Sequence, residues 1–227
     1  MMANGNALRL AVFDCDGTLV DSLGSIVMGM EHAFKALGLE PPTPNVVRKV
    51  VGLPLLEAIK RVSPGHDAAT YEQIRAAYAR MFSELRAEDA EAEDLYPGTV
   101  EALDSLESDS WLLGVATGKA RRGLEATLVP HGLSARFLTK QTSDVAAGKP
   151  APDMLYQAMN ETGADASRTV MIGDTTYDME MARNAGTFAV GVAWGYHEED
   201  DLWAAGAHMV VRGYSELPGA LAKLVEA

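Results

Sequence analysis

The chain has 227 residues, with 19 Lys and Arg against 32 Asp and Glu, a formal net charge of −13. Such an acidic surface repels nucleic acid and anionic membranes, and the densest basic spots, Arg48-Lys49, Lys60-Arg61 and Lys119 to Arg122, are too short to reverse that. One cysteine, Cys15, excludes an internal disulfide and a multi-cysteine zinc site; with no apolar run near the ~18 residues of a membrane span and no leader-like segment before Asp14, a cytoplasmic protein is expected.

In chain order, Leu8–Phe13 reads as a buried strand. Helices are expected next, over Leu23–Leu37, Leu55–Val62 and Ala68–Ala87, broken by Gly38-Leu39-Glu40-Pro41-Pro42 and Ser63-Pro64-Gly65-His66. Tyr71, Ile74, Tyr78, Met81, Phe82 and Leu85 recur at helical spacing, and that stripe reads as helix packing. Asp89 to Asp94 form an acidic connector, and Leu95-Tyr96-Pro97-Gly98 opens a second pattern. Strands are expected over Leu112–Ala116, Arg136–Thr139, Thr169–Ile172, Thr187–Val192 and His208–Val211. The helices between or after them are Lys119–Leu128, Pro152–Asn160, Thr176–Asn184 and Glu216–Val225.

This alternation implies a doubly wound, mainly parallel α/β sheet with an inserted helical domain. The expected division is an α/β core of residues 1–21 and 95–227 and a helical cap of residues 22–94. Hinges are expected near Asp21-Ser22 and Glu93-Asp94. There are no internal repeats.

Chemistry-bearing residues follow the strands, where open α/β sheets bind their ligands. Asp14-Cys15-Asp16-Gly17-Thr18 ends the first strand with two acids, more than a turn requires. Thr117-Gly118-Lys119 ends the second, where a hydroxyl, a glycine amide and a helix start would cradle an anion; an ordinary helix cap by Thr117 is the competing reading. Lys149 stands between Gly148 and Pro150, on a restricted backbone. Gly173-Asp174-Thr175-Thr176-Tyr177-Asp178 ends the fourth strand, with acids four residues apart. Asp14, Asp16, Asp174 and Asp178 gathered together demand a counter-ion, and carboxylate ligands with a phosphate suit Mg²⁺. The five histidines are scattered and read as surface or packing residues.

Asp14-x-Asp16-Gly17-Thr18, Thr117-Gly118, Lys149 and Gly173-Asp174-x-x-x-Asp178 resemble, in order, the four motifs of the haloacid dehalogenase superfamily. The inserted helices resemble its C1 cap. Gly148-Lys149-Pro150-Ala151-Pro152-Asp153 and Gly191-Val192-Ala193-Trp194-Gly195-Tyr196 resemble the phosphoglycolate phosphatase and β-phosphoglucomutase branch. The resemblance implies a Rossmann-like core and Mg²⁺-dependent hydrolysis of a small phosphorylated metabolite, with 2-phosphoglycolate the foremost candidate. It implies Asp14 as nucleophile, forming an aspartyl phosphate, and Asp16 as acid and base. Thr117, Gly118 and Lys149 would hold the phosphoryl group. Asp14, the Asp16 carbonyl and Asp174 would bind the metal, with Asp178 behind them or acting through water.

Three alternatives stand beside this reading. A haloacid dehalogenase needs neither Mg²⁺ nor Asp16. A sugar-phosphate mutase resembles a pattern with a cap histidine and a cap arginine, where this chain has Ile26 and the apolar Gly52-Leu53-Pro54-Leu55-Leu56. A phospho-acceptor signalling module would have no use for the insertion. Gly52, Leu53, Pro54 and Leu55 are the expected specificity loop. Oligomeric state is not legible.

Overall fold

The computed structural model describes residues 8–87 and 93–226, without the side chains of 85–87. The side chain of Leu85 in the apolar stripe and most of the acidic connector therefore lie outside what is described.

Six strands form one parallel sheet: β1 (Arg9–Phe13), β2 (Trp111–Thr117), β3 (Thr139–Thr142), β4 (Thr169–Gly173), β5 (Phe188–Val192) and β6 (Met209–Val211). Their spatial order is β3-β2-β1-β4-β5-β6. The chain lays down β1, builds outward through β2 and β3, then returns to β1's other side for β4. The crevice where the winding reverses lies beyond β1 and β4, which is where such sheets bind ligands.

Both faces of the sheet are buried, which explains its nearly unbroken apolar strands. In β1, Ala11 and Phe13 enter one core cluster and Leu10 and Val12 the other, by the two-residue period of a strand. The first cluster is covered by α5 (Thr99–Ser108), α6 (Arg121–Leu128) and α10 (Leu217–Glu226). The second is covered by α7 (Asp153–Thr162), α8 (Thr176–Ala185) and α9 (Glu199–Ala204).

Between β1 and α5 the chain forms α1 (Leu23–Ala36), α2 (Pro44–Arg48), α3 (Leu55–Val62) and α4 (Ala68–Ala87). Met30, Phe34, Val47, Ile59 and Ile74 join these helices in a third cluster, separate from the sheet's two. The two chain crossings to these helices run side by side. Asp21 N–H donates to Asp94 O at 3.0 Å and Tyr96 N–H to Leu19 O at 3.0 Å.

The third strand lies later than the sequence suggested. A 3₁₀ turn occupies Ser134–Arg136, and pairing with β2 begins at Thr139. Polar Lys140 and Gln141 hide this edge strand from hydropathy. The short α2 and α9 and the longer α5 were not expected. No helix of the described residues is long and apolar enough to cross a membrane.

Candidate active site

Asp14 follows β1 and is fully buried. Its backbone N–H donates to Ile172 O of β4 at 2.8 Å, which fixes it at the crevice. Its Oδ1 accepts from Cys15 N–H at 2.7 Å, and its Oδ2 lies 2.8 Å from Lys149 Nζ. Gly17 then turns the chain with φ 78°, and any Cβ there would fall 2.2 Å from Asp174 Oδ2. Only glycine combines that backbone with so close an approach.

Beyond β4, Asp174 occupies the turn rather than the helix. Its Oδ1 accepts from Thr18 Oγ1 and its Oδ2 from Tyr196 N–H, both at 2.9 Å. Asp178 lies in the first turn of α8, where its Oδ2 accepts from Thr175 N–H (3.1 Å) and Thr175 Oγ1 (2.7 Å). Its Oδ1 lies 2.6 Å from Lys149 Nζ.

Asp14, Asp174 and Asp178 each offer a carboxylate oxygen within 4.8 Å of the others. Lys149 is the one cation in direct contact with this trio among the described residues. Burial first, then repulsion from Asp178, raises Asp14 to about 7 against the pull of Lys149. Burial, then Asp178 and Asp14, also pushes Asp174 well up. Burial alone would lower the Lys149 ammonium, but Asp14 and Asp178 outweigh it and hold it above its ordinary value. Fully ionised, three carboxylates against one ammonium would carry a net charge of −2, a deficit that suits a dication.

The Asp16 side chain turns away from this trio. Its Oδ1 accepts from Ser22 Oγ and lies 2.8 Å from Lys119 Nζ. The ammonium also reaches Glu93 Oε2 at 3.4 Å. Burial opposes the Lys119 charge, yet Asp16 and Glu93 raise its pKa well above normal. Lys119, Ser22 and Glu93 were not singled out as site residues in the sequence. Ser22 and Glu93 read as linker in the sequence, and Lys119 as one member of a basic cluster and the last residue of the Thr117-Gly118-Lys119 motif, with no link to Asp16. Tyr78, read only as packing, also faces this group. Burial pushes its phenol up, and the charges of Lys119, Asp16 and Glu93 act on it.

Thr117 ends β2, its hydroxyl accepting from Lys119 N–H at 3.2 Å. Helix α6 begins only at Arg121, so neither helix amides nor a Thr117 cap contribute at Gly118. The Arg121 N–H already donates to Asp144 at 3.2 Å. The expected cradle is thus the Thr117 hydroxyl and a loop amide. Against it sits the loop 52–54: a Cβ on Gly118 would meet Leu53 O at 2.5 Å, and one on Gly148 would meet Pro54 Cγ at 2.1 Å. Leu55 begins α3 and packs on the helical cluster.

His197 is the exception among the scattered histidines. Its Nδ1 accepts from Thr176 N–H at 3.2 Å, and its backbone N–H donates to Asp174 O at 3.3 Å. Burial lowers its pKa.

Residues 11–192 match the family model for haloacid dehalogenase-like hydrolases. A relative named probable phosphatase IndB from Dickeya dadantii is 37% identical over 220 residues, covering 96% of this chain and 95% of its own. The phosphoglycolate phosphatase of Agrobacterium fabrum is 33% identical over 189 residues, covering 82% and 81%. A crystal structure of a hydrolase from Pseudomonas syringae superposes with a TM-score of 0.82 at 26% identity, covering 95% of this chain and 98% of its own. Motif order, sheet order and these likenesses agree: the chain belongs to the haloacid dehalogenase-like hydrolases.

Proposed function

We propose that the chain is a Mg²⁺-dependent phosphomonoester hydrolase that works through covalent attack by Asp14. The observation that carries this reading is the buried Asp14 carboxylate, in ion contact with Lys149 and clustered with Asp174 and Asp178.

Asp14 and Asp174, with the Asp16 carbonyl, would hold Mg²⁺, with Asp178 behind them or acting through water, and the deficit of charge among the carboxylates suits a hard dication. When bound, it would offset the negative charge of the phosphoryl oxygens. The chain's own residues do the rest. An Asp14 oxygen attacks phosphorus as the ester P–O bond breaks, and Asp16 gives the departing alkoxide its proton. Asp16 then takes a proton from water, whose oxygen attacks phosphorus and frees the Asp14 carboxylate and inorganic phosphate. Thr117, Gly118 and Lys149 orient the phosphoryl oxygens, so the work is positioning and electrostatics.

The helical segment 22–94 serves as a cap over a core of residues 1–21 and 95–227. Its loop at Gly52, Leu53 and Pro54, with Leu55 behind, closes over the leaving group and excludes water. The candidate substrate is 2-phosphoglycolate or an alcohol phosphate of similar size. The Agrobacterium relative is named for that activity, and the Lys119 ammonium beside Asp16 suits a carboxylate on the leaving group.

The test is a turnover screen of phosphorylated metabolites with Mg²⁺ and with EDTA, on wild type and Asp14→Asn. Release of phosphate that EDTA and Asp14→Asn both abolish is expected. Turnover indifferent to either would overturn the mechanism.

A further inference from the structure

The segment Trp194-Gly195-Tyr196, which follows β5, resembles the family branch in sequence but has no part in the chemistry above. In the structure it touches three elements of the site. Trp194 Nε1–H donates to Thr18 O at 3.2 Å. The Tyr196 backbone N–H donates to Asp174 Oδ2 at 2.9 Å. The Tyr196 phenol, buried with its ring, accepts from Ser22 N–H at 3.0 Å and lies 3.3 Å from Ser22 Oγ.

Ser22 Oγ donates to Asp16 Oδ1. The Tyr196 hydroxyl takes the Ser22 backbone N–H and lies against Ser22 Oγ, so it fixes the serine that holds Asp16. Lys119 Nζ approaches the same Asp16 Oδ1. Among the described contacts, both holding interactions fall on one oxygen, and Oδ2 is left to exchange the proton.

We propose that Tyr196 is a positioning residue for the acid–base step: its hydroxyl, acting through Ser22, fixes the Asp16 carboxylate with Oδ2 presented to the leaving-group oxygen. This rests on the phosphatase reading. The same residue holds the metal-site carboxylate Asp174 by its backbone, so one loop sets the spacing of acid and metal site. The two contacts separate by mutation, because only the hydroxyl belongs to the side chain.

Tyr196→Phe keeps the ring and the N–H to Asp174. Its Mg²⁺ affinity, measured by calorimetry, should match wild type. A misplaced catalytic group costs up to ~10²-fold. The kcat/KM for an alkyl phosphate substrate should accordingly fall by about 10-fold or more. The kcat/KM for p-nitrophenyl phosphate, whose leaving group needs little protonation, should fall far less. Ser22→Ala should show the same split, and the double variant should be no worse than Ser22→Ala. Equal losses on alkyl and aryl esters, or losses that multiply in the double variant, would overturn the proposal. If the wild-type chain hydrolyses no phosphate ester, the phosphatase reading fails instead. The crystal structure of Tyr196→Phe then decides the positioning role: a rotated Asp16 carboxylate supports it and an unmoved one refutes it.

Discussion

Lys119 Nζ lies 2.8 Å from Asp16 Oδ1 and 3.4 Å from Glu93 Oε2. One ammonium thus joins the proposed acid after β1 to the chain returning from the helical segment. Lys119→Met would leave two poorly solvated carboxylates without their cation. Removing one partner of a buried pair costs about 3 kcal/mol or more. Chemical denaturation should show a loss of that order, with Lys119→Arg recovering most of it. A Lys119→Met protein as stable as wild type would mean that Asp16 and Glu93 are solvated by water or share a proton taken from solvent instead.

Asp16→Asn keeps the backbone carbonyl and removes the proton. General acid–base groups contribute ~10²–10⁴-fold, and the kcat/KM for alkyl phosphates should drop by that order. Aryl phosphates should drop much less. Equal losses would remove Asp16 from the role of acid.

The pH dependence of the metal-free protein follows from Asp14. Its carboxyl sits near 7 when folded and near 3.8 as a free side chain. Between those values the folded chain keeps a proton that the unfolded chain has lost, so this group's contribution to stability falls as pH rises. Asparagine mimics the protonated acid. Metal-free Asp14→Asn should therefore be more stable than wild type at pH 8, by on the order of 4 kcal/mol, and the gap should narrow as pH falls, closing only below the free side chain's 3.8. Added Mg²⁺ should stabilise wild type more at pH 8 than at pH 5. A gap that widens on acidification would contradict the assignment.

Gly148 and Pro54 offer a test of closure. The Cβ of Gly148→Ala would lie 2.1 Å from Pro54 Cγ, so the loop at 52–54 must lift. The expected result is a loss in kcat/KM of about 10-fold, with the melting temperature little changed. Pro54→Ala in the same chain should restore part of it, a coupling that a double-mutant cycle measures. Full additivity would show that the loop does not seat there during turnover.

The sheet was largely legible because its strands are buried on both faces and so apolar throughout, as in Leu10 to Phe13. β3 was misplaced because an edge strand carrying Lys140 and Gln141 has no such signal. Helix α3 was read at its observed bounds because Pro54 and Ser63-Pro64-Gly65 punctuate it. The acids at strand ends were conspicuous because they outnumber what a turn or a helix cap requires. Ser22, Glu93 and Tyr196 were not, because their meaning comes from contacts between distant parts of the chain. Ser22 meets Tyr196 across 174 residues. Lys119 was visible as a residue, but sequence does not show that its charge is drawn inward by Asp16.

Asp178 divides its two oxygens between unlike tasks: Oδ2 takes the Thr175 amide and hydroxyl at the start of α8, and Oδ1 faces Lys149. Any event that draws charge from Oδ1 weakens Oδ2 as an acceptor, because the two oxygens share one delocalised system. The Thr175 amide is therefore a built-in reporter of occupancy. Its proton resonance should move upfield when a cation engages the cluster, and its exchange with solvent should change with it. An isotope-labelled sample titrated with Mg²⁺ would display the loading of the site at one backbone position, with no substrate and no turnover.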